Sequence, residues 1–126
     1  MPISHKEYKD RYFEEVQIGD ELPPLKKDFT LPGMMVYGAS TWDFIRIHYD
    51  ADLMREEGFD GPIVDGQQLG GILAQLVQDW AGPKSFLRKL SFRNRSKLFP
   101  GDSVTCYGVV TNKYTENGED LVALDL

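Results

Sequence analysis

The clearest pattern in the chain is helical. Leu69, Ile72, Leu73, Leu76, Val77 and Trp80 recur at i, i+3, i+4, i+7, i+8 and i+11, one broad apolar arc on a 3.6-residue period. Gly70 and Gly71 stand near its start, and "AGP" at 81–83 ends it. Each glycine costs a helix about 1 kcal/mol against alanine, so something is expected to approach the helix closely there: a sheet, another helix or a ligand. Upstream, "VQIGDELPPLKKDFT" reads as a turn at Gly19 and Asp20 leading into a short strand whose prolines suit an edge. Thr30 with Pro32 then marks a helix start, and that helix runs through "GMMVYGAST" to about Trp42. Asp50 is a second cap, for a short helix "ADLMREE" that Gly58 stops. "FDGPIVDG" reads as a loop with a short extended piece.

Downstream of the long helix the period changes to two. "SFLRKLSFRNRSKL" is a long strand candidate with Phe92, Asn94 and Ser96 on one face and Arg93, Arg95 and Lys97 on the other. "FPGD" is a turn. "SVTCYGVVTNKY" is a second strand, with Val104, Cys106, Gly108 and Val110 alternating. Asn117-Gly118 is a hairpin signal, and "LVALDL" begins a last strand that ends the sequence. An apolar strand leaves an unpaired edge there, so the sequence is read as cut short, with a final strand missing. The expectation is a single α+β domain over residues 1–126, in which an antiparallel sheet meets one long helix. One helix cannot cover both faces of a sheet, so an open face is expected to be buried in a dimer.

Composition narrows the function. The chain has 126 residues, enough for a core, and no run approaches the roughly 18 apolar residues of a membrane span. The N-terminal stretch is charged and lacks the apolar core of a secretory signal. One cysteine, Cys106, excludes an internal disulfide framework and fits a reducing, cytoplasmic setting. Two histidines and one cysteine cannot build a zinc site of the usual ligand count within one chain. A carboxylate-rich site remains open, but no EF-hand spacing is present, and no metal is expected. A net charge of −6 argues against nucleic acid. Residues 81–101 nonetheless hold no acid and six cations, Lys84, Arg88, Lys89, Arg93, Arg95 and Lys97. That stretch reads either as a solvated strand face or as a seat for a small polyanion.

The candidate chemistry lies in "TWDFIRIHYD", where Asp43 precedes His48 by five residues. Taken singly, Asp43 serves equally as a turn residue or cap, His48 as a structural histidine, and Gly66 as a helix-start glycine. His5 carries no signal.

Together, "YGASTWDFIRIHYD", "GFDGPIVDGQQLGGILAQLVQDWAGP" and "LSFRNRSKLFPGDSVTCYGVV" resemble the MaoC-like, (R)-specific enoyl-CoA hydratases and dehydratases over roughly residues 12–126. Two spacings carry the likeness: acid to histidine, and His48 to the glycine of the "IVxG" turn, Gly66. The resemblance implies the hot-dog fold, a curled antiparallel sheet around one long helix. It implies hydration of a trans-2-enoyl-CoA, or the reverse dehydration, with Asp43 and His48 holding the water and the Gly66 N–H donating to the thioester oxygen. No cofactor is implied; coenzyme A enters only as part of the acyl-CoA substrate. Arg93, Arg95 and Lys97 would meet its phosphates. The chain departs from the family pattern at Trp42, at Ile45-Arg46 for the family's Asn-Pro, at Asp65 for its histidine, and at Gln67 for its methionine. These changes, with "QDWAGP", are similar to the small catalytic subunit of steroid side-chain hydratases. The implied partner is a second copy of this chain, or a second MaoC-like chain. A hot-dog thioesterase and a non-catalytic subunit completing a partner's tunnel are the rival readings.

Overall fold

A computed structural model describes residues 7–126; His5 lies outside them. The described residues fall into two compact units, one from residues 7–25, 73–90 and 106–126, the other from 26–72 and 91–105. Among them, no helix is long and apolar enough to cross a membrane.

In the first unit the chain makes a 3-10 turn at Phe13–Glu15. The later part of the long helix α3 (Gly66–Ala81) packs Leu76 and Trp80 with Val16, Leu22 and Val110, all buried. Arg11 closes that helix: its guanidinium lies 4.8 Å over the Trp80 ring and donates to the Trp80 carbonyl at 2.9 Å. This satisfies a terminal carbonyl that the helix itself leaves unpaired. Gly82 follows in the left-handed region, φ 88°, as the "AGP" stop requires. An antiparallel hairpin completes the unit, β3 (Val109–Glu116) with β4 (Glu119–Asp125), and its register pairs Glu116 with Glu119. Asn117 and Gly118 both have positive φ, the backbone of the tight turn expected from Asn-Gly. A register shift between Val110 and Asn112 bends the hairpin.

The expected strand over 103–114 is instead two. Strand β2 (Ser103–Cys106) ends before Tyr107 and pairs with β1 (Leu25–Asp28), and β3 starts at Val109. Gly108, at the break, is a point of close approach. A Cβ at Gly108 would lie 3.0 Å from both Leu22 Cδ2 and Leu126 Cδ2, while the Gly108 carbonyl accepts from Leu22 N–H at 2.8 Å.

In the second unit Thr30 caps α1 (Leu31–Thr41), its hydroxyl accepting from Gly33 N–H at 3.1 Å. Asp50 caps α2 (Ala51–Glu56) through Leu53 N–H at 3.0 Å. Both starts are where their cap residues place them. The expected strand over 85–98 shows no ladder: residues 91–98 form no strand, and the chain bends at Ser96. A strand is defined by its neighbour, and among the described residues a single backbone bond, from Val64 N–H to the Leu98 carbonyl at 2.8 Å, stands where a ladder was expected.

The alternation is nonetheless real. A Cβ at Gly70 would lie 2.4 Å from the Phe92 ring, and one at Gly66 2.2 Å from Asn94 Nδ2. Four helical residues advance ~6 Å and two extended residues ~6.6 Å. The glycine pair and the Phe92/Asn94 pair therefore match in step. This answers what approaches the helix at Gly70; Gly71 meets nothing within 4 Å.

Candidate functional site

The site is assembled from three stretches of the second unit. The first is the end of α1. Its last turn stops with Trp42 in the left-handed region, φ 59°, and the Asp43 N–H returns to the Gly38 carbonyl at 2.8 Å. Gly38 permits this: a Cβ there would meet the Asp43 carbonyl oxygen at 2.8 Å. Asp43 Oδ1 accepts from Ile45 N–H at 3.2 Å, a local turn that fixes the carboxylate.

The second stretch is the 3-10 turn Arg46–His48. Ile63 N–H donates to the Ile47 carbonyl at 2.9 Å, and His48 Nδ1 lies 2.7 Å from the Ile63 carbonyl. A carbonyl only accepts, so Nδ1 carries a proton, and the neutral tautomer with that proton has its lone pair at Nε2.

The third is the start of α3. Asp65 caps it, Oδ1 accepting from Gln67 N–H at 2.8 Å. The other oxygen, Oδ2, lies 4.0 Å from His48 Nε2, and the two side chains are only 12% and 15% exposed. That is too long for a hydrogen bond. One oxygen from each of Asp43 and Asp65 and one His48 nitrogen lie within 4.8 Å of one another. Two groups that each hold one water at ~2.8 Å, at a roughly tetrahedral angle, stand ~4.6 Å apart. The cluster thus has the dimensions of a one-water cradle lined by two carboxylates and an imidazole lone pair. Tyr37, on α1, borders it. Burial raises its phenol above the ordinary tyrosine pKa, and the carboxylates of Asp65 and Asp43 add to the effect. Its hydroxyl stays protonated at neutral pH and is available as a donor.

Gly66 follows Asp65 directly as the first residue of α3. Its N–H makes no hydrogen bond among the described residues, as expected of a helix's first turn. Positive potential at that end favours an anion.

Of the residues expected from sequence, Asp43 and His48 are brought together, with Gly66 beside them in the chain through Asp65. Arg93, Arg95 and Lys97 are exposed on the extended segment, and the Lys97 ammonium lies 5.2 Å over the Phe59 ring. Tyr37 and Asn94 escaped the sequence reading as site neighbours, and Asp65 was named only as a departure from the family pattern. Asp65 had a signal, an acid directly before a helix start. Tyr37 had only its place in "YGAST". Asn94 had only its alternation with Phe92.

Comparison with known proteins shows the family. The 3-oxo-4,17-pregnadiene-20-carboxyl-CoA hydratase beta subunit of Mycobacterium tuberculosis is 32% identical over 95 residues, 75% of this chain and 73% of that one. Among solved structures, the ChsH1-ChsH2 complex from Mycobacterium tuberculosis superposes with TM-score 0.75 at 27% identity, over 86% of this chain and 82% of that chain. The (R)-hydratase from A. caviae involved in PHA biosynthesis does so with TM-score 0.73 at 23% identity, over 88% and 92%; at that identity the likeness speaks for the hot-dog fold alone. The family model described as the MaoC-like domain matches residues 15–124, and the chain belongs to that family.

Proposed function

We propose that this protein hydrates a trans-2-enoyl-CoA thioester to the 3-hydroxyacyl-CoA, or runs the reverse dehydration. The observation that carries the reading is the cluster of Asp43, His48 and Asp65, one atom of each within 4.8 Å of the others, with His48 Nε2 4.0 Å from Asp65 Oδ2 and Nδ1 engaged by the Ile63 carbonyl. Neutral water is a poor nucleophile, so a fixed base is needed. As the water oxygen bonds to C3, its proton passes to Nε2. The C2=C3 electron pair moves toward the thioester, whose oxygen gains enolate charge. The Gly66 N–H, preorganised at the start of α3, stabilises that charge where it develops. Return of a proton from the Asp43/His48 pair to C2 completes the addition and restores the site.

Three supports bear on substrate and partner. The relative named for a steroid-acyl-CoA argues for a bulky acyl group here. The likeness to a complex of two named components argues for a second MaoC-like chain as partner. The exposed Arg93, Arg95 and Lys97 suit coenzyme A phosphates; replacing them should raise KM for the thioester with kcat nearly unchanged.

The test mixes the protein with crotonyl-CoA and with a polycyclic enoyl-CoA. Enoyl-thioester absorbance is followed, with a thiol reagent in a parallel sample. Loss of absorbance without thiol release supports hydration. Thiol release would instead identify a thioesterase. No turnover of either substrate, alone or with a MaoC-like partner, would leave a non-catalytic subunit.

A further inference from the structure

We propose that Asn94 is a catalytic residue, the second hydrogen-bond donor to the thioester oxygen beside the Gly66 N–H. The assignment rests on the hydratase reading above.

Its first ground is direction. A Cβ at Gly66 would lie 2.2 Å from Asn94 Nδ2, 3.3 Å from Cγ and 3.9 Å from Oδ1. The NH2 end of the amide, not the carbonyl end, therefore faces the helix start. Its second is placement. Asn94 is set by more than its own contact, because Phe92, two residues earlier, sits against Gly70 one helical turn further on. Its third is capacity. The Asn94 amide makes no hydrogen bond among the described residues and is exposed. A side chain serving only to fill space over a glycine needs no amide, whereas an amide with two unused N–H hydrogens over the residue that opens α3, whose own N–H is unpaired, supplies the parts of a two-donor seat.

Charge explains the residue type. The seat adjoins Asp65, and Asp65 and Asp43 face His48. An arginine or lysine at 94 would be drawn into an ion pair with those carboxylates. A neutral amide donates without being captured. An enolate forming near two acids needs such donors more than it would elsewhere. One backbone N–H and one amide N–H, both neutral, supply them.

The test compares Asn94→Ala and Asn94→Asp with the wild-type chain, on the enoyl-CoA that the wild type hydrates best, with its partner chain if one is needed. For Asn94→Ala we expect kcat to fall by about 10²-fold, within the range seen when one oxyanion donor is removed, with KM within a factor of about two. Asn94→Asp should be slower still, since an acceptor then faces the enolate. Thermal midpoints should stay close to wild type in both. Asn94→Asp turning over as fast as wild type, or faster than Asn94→Ala, would overturn the assignment while leaving the hydratase reading intact. A wild type that hydrates nothing overturns that reading, and this one with it.

A double variant separates donation from space-filling. Gly66→Ala drives a methyl into Nδ2. If Asn94 only fills space, adding Asn94→Gly should restore activity; if it donates, the double variant should remain at least as impaired as Asn94→Ala.

Discussion

Gly70 and Gly71 are adjacent in one helix, so alanine at either removes the same backbone freedom from the unfolded chain. Either change should gain about 0.8–1.0 kcal/mol of helix propensity. Their surroundings differ. Nothing lies within 4 Å of a Cβ at Gly71, whereas one at Gly70 falls 2.4 Å from Phe92 Cε1 and Cζ and 3.3 Å from Cε2. Ordinary contact begins at 3.4 Å, so the ring must retreat by 3.4 − 2.4, roughly 1 Å. Phe92 is 45% exposed, so about half of its burial is at risk. That is ~0.8–1.6 kcal/mol of the ~1.5–3 kcal/mol for a fully buried side chain. If the ring cannot retreat, overpacking costs ~1–3 kcal/mol. Gly71→Ala should therefore stabilise by about 1 kcal/mol, and Gly70→Ala should be neutral or lose up to ~2 kcal/mol. The gap of ~1–3 kcal/mol is well resolved by urea denaturation at equal m-value. Equal stabilisation by the two changes would refute the seating of Phe92 on α3, and with it the register that places Asn94. Adding Phe92→Ala should remove the gap.

Gly38→Ala puts a Cβ 2.8 Å from the Asp43 carbonyl oxygen; we expect a folded protein whose kcat falls by about 10–100-fold, since small displacements of a reacting group are costly. Asp65→Asn keeps the cap, because asparagine caps as well as aspartate, but removes the charge 4.0 Å from His48 Nε2; helix content should hold by circular dichroism while kcat/KM falls at least tenfold, and an unchanged kcat/KM would reduce Asp65 to a cap. Asp50 is held below the ordinary carboxylate pKa by Leu53 N–H first and then by Arg46. Its contribution is thus full above the unfolded pKa and is lost as pH falls through the folded one. Asp50→Asn should lower the thermal midpoint at pH 7, and its deficit against wild type should shrink as pH drops below about 4.

What the sequence made legible is what depends on near neighbours. The caps at Thr30 and Asp50, the stop at Gly82 and the Asn117-Gly118 turn are each settled within a few residues, and all stand where they were expected. Asp43 and His48 were visible as a spacing. The illegible parts depend on distant residues. Alternation continues smoothly through Tyr107 and Gly108, and it does not show that Leu22 and Leu126 lie against Gly108 at the break. Alternation likewise separates Asn94 from Arg93 and Arg95 without saying which helical residue Asn94 meets. Trp42 in the left-handed region, where glycine is the easy choice, could not be read from side-chain type.

The site groups share a design that the spacing alone did not show. Asp43 engages Oδ1 with Ile45 N–H, Asp65 engages Oδ1 with Gln67 N–H, and His48 engages Nδ1 with the Ile63 carbonyl. Each is tied to backbone by one polar atom and keeps the other available: a second carboxylate oxygen, the Nε2 lone pair. Backbone bonds at one end fix orientation without consuming the end that meets water, and a group so held needs little reorganisation when charge moves. The histidine tautomer follows from the same bond. In the proposed hydration Nε2 is a base only with Nδ1 protonated toward Ile63, so the Ile63 carbonyl would set the direction of proton transfer without touching a reactant. Asn94 stands outside this scheme. Its amide lies where a Gly66 Cβ would stand and makes no hydrogen bond among the described residues, which in the proposed reaction would leave both amide hydrogens for the enolate oxygen.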